Sequence, residues 1–270
     1  FDAHHIIMDA YAIEIFKKEL FDYYEGKEPE TLKIQYKDYS EWQAGYYKTK
    51  EAADKKLYWL NQFQGEIPVI NLPVDFPRVS GLSSEAGIFT LCLDETLTSE
   101  IKKMSAANGI STFMILLGVY NIVLHKYTQQ DDIITGVYSM GRDNRELSSL
   151  IGMFINNLPV RCFPNSELSV LDFLNNVKNT VINAYANQDY PFDELIGELN
   201  ISRDLNRSPL FDVVFSYMNF ELTEVKNNSL EINDYQADAV LSSEYDLMLY
   251  GIEAKDKIYI TIKYKKSLFK

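Results

Sequence analysis

Residues 1–10 read Phe-Asp-Ala-His-His-Ile-Ile-Met-Asp-Ala, and the rest of the chain is organised around this stretch. Two adjacent histidines, His4 and His5, are followed by a carboxylate at Asp9. Histidine takes up and returns protons near neutral pH. Because neighbouring residues on an extended segment point to opposite faces, one imidazole can be buried while the other faces a cleft. The stretch is therefore a candidate catalytic loop, in which Asp9 can orient an imidazole or pair with a distant cation.

Other roles for these residues remain open. The histidine pair is also compatible with a plain surface or packing role. A zinc site needs further ligands, and the remaining candidates are the isolated residues His125, Cys92 and Cys162. A helical pattern follows from residue 10 to residue 25 and stops at Gly26. Glycine commonly ends a helix as its C-terminal cap. Asp9 can therefore also cap the positive N-terminus of that helix.

The composition is that of a globular protein with an excess of acidic residues. The 270 residues are 46% hydrophobic and 24% charged, and 26 Lys and Arg against 39 Asp and Glu give a net charge of −13. That charge repels nucleic acids and anionic membrane surfaces, so we expect neither as a partner. The two cysteines are far apart, and we find no signal peptide and no apolar run that could span a bilayer. These features predict a cytoplasmic protein without disulfides.

The first part of the chain is predicted to be helical. A long pattern from residue 34 to about residue 64 carries Tyr39, Trp42 and Tyr46 at helical intervals, a spacing that is typical of core residues. Residues 70–78 contain two prolines and predict an extended segment, because proline disfavours helix before and at its own position. We place the boundary between two subdomains in this segment.

The second part of the chain alternates strands and helices. Apolar and β-branched runs predict strands, while longer periodic segments, one closed by Gly109 and the next capped by Ser111, predict helices. The predicted strands are 86–93, 132–138, 158–163, 211–218, 244–252 and 258–264, with 230–235 as a further edge strand; the predicted helices are 94–108, 111–127 and 168–187, and a loop is expected at 190–192. A polar turn at 139–143 follows the second strand, at the kind of strand end where ligands bind. This order indicates an α/β layered sandwich around a mixed sheet.

Several segments resemble the signature motifs of condensation domains of non-ribosomal peptide synthetases. Residues 4–10, His-His-Ile-Ile-Met-Asp-Ala, resemble the HHxxxDG motif, which related acyltransferases share. Further segments follow in the family's order: residues 36–43 resemble YxDYAxWQ, residues 72–78 resemble LPxDxPRP, Gly141-Arg142 with 151–158 and Arg161 resembles IGxFVNTLxxR with its upstream Gly-Arg, and residues 187–193 and 203–211 match the last two signatures. The resemblance covers essentially the whole chain.

The resemblance implies a fold of two chloramphenicol-acetyltransferase-like lobes arranged in a V, with a tunnel between them. Residues 1–75 would form the end of the N-terminal lobe, with the histidine loop, and residues 76–270 would form most of the C-terminal lobe. The family carries its histidine motif late in the first lobe, and this chain begins abruptly at Phe1. We therefore expect the chain to be a piece of a longer polypeptide.

The resemblance also implies a reaction. An amide bond would form between a donor acyl or peptidyl thioester and an acceptor amine, both held on 4′-phosphopantetheine arms of peptidyl carrier domains, beside an adenylation domain. No tightly bound cofactor and no metal are implied. His5 would be the catalytic residue, as a general base or as a hydrogen-bonding positioner. The resemblance implies that His4, Asp9 and Arg142 are structural, with Asp9 paired to Arg142 across the lobes, and that Ala10, Tyr36, Trp42 and Asn156 line the cleft or fix loops.

The chain departs from the family pattern at two places. Ala10 stands where the family has glycine, which permits a positive φ or a close approach of substrate. Asn206 and Ser208 stand where the family usually has serine and asparagine. Three alternatives remain: an epimerisation domain of the same synthetases, a free-standing acyltransferase that uses coenzyme A thioesters, and a non-catalytic fragment that docks a carrier domain. The segments at 36–43 and 72–78 favour condensation over epimerisation.

Overall fold

The structure, a computed structural model, describes residues 3–79, 83–201, 204, 206–218, 241–254 and 256–270. Within these residues the helices are α1 (Ala10–Tyr24), α2 (Tyr36–Tyr46), α3 (Lys50–Gln62), α4 (Glu95–Asn108), α5 (Thr112–Thr128), α6 (Val170–Ala186) and α7 (Phe192–Glu198). The strands are β1 (Ala86–Leu93), β2 (Ile133–Ser139), β3 (Asn156–Cys162), β4 (Val213–Met218), β5 (Leu247–Ala254) and β6 (Lys257–Lys265). Two 3₁₀ turns lie at His5–Ile7 and Arg145–Ser149.

The described strands form a single mixed sheet in the order β1-β6-β5-β4-β2-β3. β2, β4 and β5 run parallel to one another, whereas β1, β6 and β3 pair antiparallel with their neighbours. The hairpin predicted near residue 255 is present, since Ala254 of β5 pairs with Lys257 of β6. The predicted α/β sandwich with a mixed sheet is therefore confirmed. Because β2, β4 and β5 are parallel, their C-terminal ends lie at the same end of the sheet, and the turn that follows β2 begins there.

Side-chain caps determine where most of the longer helices begin. Asp9, Thr49, Asp94, Ser111 and Ser169 each accept a hydrogen bond from the backbone N–H three residues further along the chain. Such caps satisfy one of the N–H groups that the first turn of a helix leaves unpaired. The helices α4 and α5 begin within one residue of the predicted starts at residues 94 and 111, and α6 begins two residues after the predicted start at residue 168.

Two elements differ from the sequence-based predictions. The pattern from residue 34 to residue 64 is two helices, because α2 ends at Tyr46 and Thr49 caps the start of α3. Residues 190–192 were expected in a loop, but α7 already begins at Phe192. This helix has seven residues, too few for a clear apolar period. The predicted edge strand at 230–235 lies outside the described residues.

The hydrophobic core lies between the sheet and helices α3, α5 and α6. Leu117 of α5, Val177 of α6, Leu158 of β3 and Phe215 of β4 are buried in one cluster, and Trp59 of α3 packs into the same cluster. Burying a large apolar side chain contributes about 1.5–3 kcal/mol. The packing of Trp59 therefore holds α3 against the rest of the fold.

The segment at 70–78 contains no helix or strand and runs beside the end of the chain. The N–H groups of Asp75 and Phe76 donate to the carbonyl oxygen of Leu268 at 2.9 Å and 3.2 Å. Arg78 pairs with the buried carboxylate of Asp246. The described strands all lie after residue 85. The division into lobes at residues 75 and 76 stays a prediction.

In the described part of the chain, no single helix is both long and apolar enough to cross a membrane. Among the described helices, the pair α4 and α5 taken together meets the length and composition criteria, and the two are bent by 108° relative to each other.

Candidate active site

The histidine stretch forms the 3₁₀ turn at His5–Ile7, directly before α1. His4 precedes this turn, and its Nδ1 accepts a hydrogen bond from the N–H of Ile6 at 3.1 Å. Both imidazoles are exposed. The expectation that one imidazole is buried is therefore wrong for the described residues; the alternation that it assumed needs an extended segment, and the chain turns at His5. His4 caps the turn that presents His5.

Asp9 anchors the end of this turn inside the protein. Its side chain is fully buried, and its Oδ1 accepts a hydrogen bond from the N–H of Ala12 at 2.8 Å. Oδ2 accepts a hydrogen bond from the N–H of Phe154 at 3.0 Å. The N–H of Asp9 itself donates to the carbonyl oxygen of Gly152 at 3.2 Å. Asp9 thus caps α1 and ties the histidine loop to residues 152–154.

Arg142 supplies the cation that pairs with Asp9. Its Nη2 lies 3.2 Å and 3.3 Å from the two carboxylate oxygens of Asp9. Its Nη1 donates to the carbonyl oxygens of Leu147 and Leu150 at 2.6 Å and 2.8 Å, and its guanidinium carbon lies 4.1 Å from the centre of the Phe154 ring. The side chains of Arg142 and Asp9 are 4% and 0% exposed, so salt screens this pair little. The predicted Asp9–Arg142 contact is present.

Tyr36 holds the segment that binds Asp9. Its hydroxyl donates to the carbonyl oxygen of Met153 at 2.7 Å, and its ring packs edge-on against Phe154 with centroids 5.1 Å apart. Burial, and then the negative charge of Asp9, raises the pKa of Tyr36 above its ordinary value. The hydroxyl therefore stays protonated and donates at neutral pH. These are the contacts expected of a loop-fixing residue.

Asn156 holds a second loop, the one that precedes α7. Its Nδ2 donates to the carbonyl oxygens of Gln188 and Tyr190 at 2.7 Å and 2.8 Å. Its Oδ1 accepts a hydrogen bond from the N–H of Phe192 at 3.1 Å. The side chain therefore bonds to two backbone groups of this loop and to the first N–H of α7, and it joins them to β3.

Trp42 lies on the surface of α2. It is 56% exposed and stacks between Tyr39 and Tyr46, with ring centroids 5.8 Å and 5.3 Å away. The prediction that these aromatic residues belong to the core is wrong for Trp42. Helical spacing shows which residues share a face of a helix, but it does not show whether another element covers that face.

Ala10 is the first residue of α1 and is exposed. Among the described residues it is not one of those with a positive φ. The backbone at this position therefore does not need the conformational freedom of glycine. The departure of Ala10 from the family's glycine adds one methyl group at the surface and costs no backbone strain.

His5 lies apart from the larger cavities of the described residues. Three cavities have volumes of about 680 Å³, 520 Å³ and 490 Å³, and other segments line them. In the ranges that the structure describes, no three His, Cys, Asp or Glu side chains are arranged to hold a metal ion. The tunnel beside His5 that the resemblance implies stays a prediction.

Sequence reasoning missed several partners of the site. The N–H of Phe154 and the carbonyl oxygen of Gly152 hold Asp9, and backbone groups of this kind leave no mark in a sequence. Gln188 lies in the segment 187–193, which resembles a family signature without indicating a role for this residue. Its side chain bonds to Ser139 and Asp143, which flank the Gly141-Arg142 pair. Only the fold brings these positions together.

Solved structures define the class of this fold. The X-domain from teicoplanin biosynthesis, solved in a complex with OxyB, has a TM-score of 0.87 and 23% identity over 99% of this chain and 62% of that chain. The condensation domain of the monacolin K polyketide synthase MokA has a TM-score of 0.83 and 20% identity over 99% of this chain and 64% of that chain. At such identities the likeness shows the fold alone. The chain has the chloramphenicol-acetyltransferase-like fold of condensation domains.

Sequence comparison identifies the family. The family model named Condensation domain matches residues 1–270, and the chain belongs to that family. Bacitracin synthase 3 of Bacillus licheniformis is 41% identical over 270 residues, which are 100% of this chain and 4% of that protein. Tyrocidine synthase 3 of Brevibacillus parabrevis is 39% identical over 268 residues, or 99% of this chain and 4% of that protein. The chain thus spans a small part of these relatives, and the predicted resemblance to synthetase condensation domains is confirmed.

Proposed function

We propose that this chain is part of a domain that forms amide bonds in non-ribosomal peptide synthesis. Its membership of the condensation domain family supports this proposal. The relatives that match along the whole chain are named as synthases of bacitracin and tyrocidine. The substrates would be a donor acyl or peptidyl thioester and the amine of an acceptor aminoacyl group.

The reaction is a transfer of an acyl group from sulfur to nitrogen. The lone pair of the acceptor amine attacks the thioester carbonyl carbon, a tetrahedral intermediate forms, and the carbon–sulfur bond breaks. The amine gives up one proton and the departing sulfur gains one, so an amide and a free thiol result. The protein must hold an unprotonated amine against the carbonyl group and exclude water.

The observation that supports this function best is the exposed imidazole of His5 on an anchored loop. His5 lies four residues before Asp9, whose fully buried side chain fixes the end of the loop. An exposed imidazole on a fixed support can accept the amine proton or orient the amine by a hydrogen bond. General-base catalysis of this kind contributes about 10²–10⁴-fold in rate.

Asp9 has a structural role in this proposal. Its oxygens receive hydrogen bonds from the N–H groups of Ala12 and Phe154 and from Arg142. These donors occupy both oxygens and hold the carboxylate in one orientation. Asp9 therefore shapes the loop and does not carry protons to His5.

The substrates would be delivered by partner domains. Donor and acceptor peptidyl carrier domains would present the thioesters on 4′-phosphopantetheine arms, and an adenylation domain would be adjacent. The reaction needs no tightly bound cofactor and no metal, because the thioester already activates the carbonyl group. The teicoplanin X-domain shares this fold and was solved bound to OxyB, so the fold alone does not distinguish a catalytic domain from a docking module.

The test uses the full-length protein that carries this chain, with loaded donor and acceptor carrier domains. We expect the wild-type protein to form a dipeptidyl thioester, and His5→Ala to lower its rate by about 10²–10⁴-fold with an unchanged melting curve. His125→Gln is the matched control, since His125 lies in the last turn of α5 and its Nδ1 contacts the carbonyl oxygen of Gln130. Full turnover by His5→Ala would reject the catalytic role. Inversion of the aminoacyl centre without amide formation would indicate epimerisation, and carrier binding without turnover would indicate a docking module.

A further inference from the structure

Gln188 joins the two ends of the turn that presents Arg142. Its Oε1 accepts a hydrogen bond from the Oγ of Ser139, and its Nε2 donates to Oδ2 of Asp143 at 2.6 Å. The Oγ of Ser139 also accepts a hydrogen bond from the N–H of Gly141 at 3.2 Å. One half-buried side chain therefore closes the turn 139–143 on both sides of Arg142.

The opposite side of this turn is packed against the segment that binds Asp9. Gly141 has a φ of +61°, a conformation that favours glycine. A Cβ at this position would lie 2.1 Å from the carbonyl oxygen of Phe154. The turn thus lies between Phe154 on one side and Gln188 on the other. Among the contacts described for residues 139 and 143, Gln188 is the side chain that joins the two ends of the turn. A change at Gln188 would therefore free both ends.

Gln188 itself is held by its neighbours. Asn156 donates to the carbonyl oxygen of Gln188 at 2.7 Å. The indole N–H of Trp59 donates to the carbonyl oxygen of Asn187 at 2.9 Å. Because Trp59 belongs to the hydrophobic core, the backbone that carries the Gln188 side chain is fixed to the core. The clamp is therefore a rigid support for the turn.

We infer that Gln188 is a positioning residue for the Arg142–Asp9 pair and, through that pair, for the loop that carries His5. The effect on catalysis rests on the proposed function, whereas the effect on the pair does not. The amide is suited to this place because it offers one acceptor to the Ser139 hydroxyl and one donor to the Asp143 carboxylate. Leucine offers neither group, and glutamate would place a second carboxylate against Asp143.

Hydrogen exchange measures this effect without an activity assay. In the full-length protein, we expect Gln188→Leu to speed amide exchange about tenfold in the peptides that contain Asp9 and Phe154, because two hydrogen bonds that hold the turn are lost. Gln130→Leu is the matched control, since the side chain of Gln130 also bridges two backbone groups, the carbonyl of Val69 and the N–H of Asn71. Unchanged exchange in Gln188→Leu, or equal acceleration in Gln130→Leu, would overturn the inference.

A reciprocal exchange of the two side chains keeps the inference testable if Gln188→Leu fails to fold. Gln188→Glu alone sets two carboxylates against each other and should speed exchange in the same peptides. Combined with Asp143→Asn, the new carboxylate can accept hydrogen bonds from both Ser139 and the amide at 143. We expect the double variant to return to within about twofold of wild type. A double variant that exchanges as fast as Gln188→Glu alone would contradict the clamp.

Kinetics then connect the clamp to the reaction. We expect Gln188→Leu to lower kcat for amide formation about tenfold and to leave KM unchanged, because the loop is displaced while substrate contacts remain. If wild-type protein forms no amide, the proposed function fails and the exchange result still stands. If amide forms and exchange near Asp9 is unaffected by Gln188→Leu, the positioning role fails alone.

Discussion

Nη2 of Arg142 lies within 3.3 Å of both carboxylate oxygens of Asp9, and this contact joins the start of α1 to the turn that follows β2. Both side chains are buried. Each also bonds to backbone groups, Asp9 through two N–H donors and Arg142 through two carbonyl oxygens at 2.6 Å and 2.8 Å. A buried ion pair whose two members also bond to backbone groups fixes one arrangement of the chain, and loss of one partner leaves the other charge uncompensated.

We expect Asp9→Ala to destabilise the protein strongly. The guanidinium of Arg142 would remain buried without its counter-charge, and α1 would lose its cap, so the free energy of unfolding should fall by about 3–5 kcal/mol. Urea titration measures this change. Glu100→Ala is the control, because it removes an exposed pair with Lys103 that is worth less than about 1 kcal/mol. Equal stability of the two variants would contradict the anchoring role of Asp9.

Gly152 provides a second test of how the site is held together. A Cβ at this position would lie 2.1 Å from Cδ2 of Tyr36, so Gly152→Ala must displace the Tyr36 ring and weaken its bond to Met153. We expect a loss of about 1–3 kcal/mol in the free energy of unfolding, the usual cost of overpacking. In a Tyr36→Ala background, Gly152→Ala should cost less than it does in the wild type, because the smaller side chain makes room for the methyl group.

The control for this variant is Gly45→Ala. Gly45 lies within α2, and no atom would come within 4 Å of its added Cβ. Alanine is favoured over glycine in a helix by about 0.5–1 kcal/mol, so the control should be as stable as wild type or more so. If both glycine variants are destabilised alike, the effect of Gly152→Ala comes from the backbone and not from Tyr36.

Local sequence features predict most elements of this fold. The cap predicted at Ser111 marks a helix start that the structure confirms, since a side-chain acceptor for free N–H groups is a local requirement. The order of strands was beyond such reasoning. β1 lies beside β6 and β4 lies between β5 and β2, and this pairing depends on contacts between residues that are distant in sequence.

The candidate site was predictable to a different degree. The residues alone left Asp9 with three roles, and only the resemblance singled out Arg142 as its partner. The exposure of Trp42 could not be read from its spacing, because the cover of a helix face depends on other elements. The clamp by Gln188 was missed because it depends on a turn and a loop that approach each other only in the folded chain.

Because of Tyr39, the stability of the protein should fall as the pH rises in the alkaline range. Burial is the main cause that raises its pKa from 10.0 to about 12. At a pH below the pKa of Tyr39 in the unfolded chain, the hydroxyl is protonated in both the folded and the unfolded protein, and the contribution of its burial to stability is complete. As the pH rises from that pKa through the pKa in the folded protein, ionisation favours the unfolded chain and this stability is lost. Unfolding free energies at about pH 9 and about pH 11.5 should therefore fall more for wild type than for Tyr39→Phe. Equal falls would show that Tyr39 is as solvated as an ordinary tyrosine.

The two cysteines predict a difference in thiol reactivity that reports on β3. Cys92 is exposed and Cys162 is buried, and burial raises the pKa of the Cys162 thiol to about 12. The thiolate is the reactive form, so at about pH 8 dithionitrobenzoate should modify one thiol rapidly and the second only after unfolding in urea. Cys92→Ser should remove the rapid phase, and Cys162→Ser should remove the slow one.

Cys162 ends β3, an edge strand of the described sheet that pairs with β2. Rapid modification of both thiols would therefore mean that this edge opens without global unfolding. Such opening would also loosen Asn156, at the other end of β3, and with it the loop that carries Gln188.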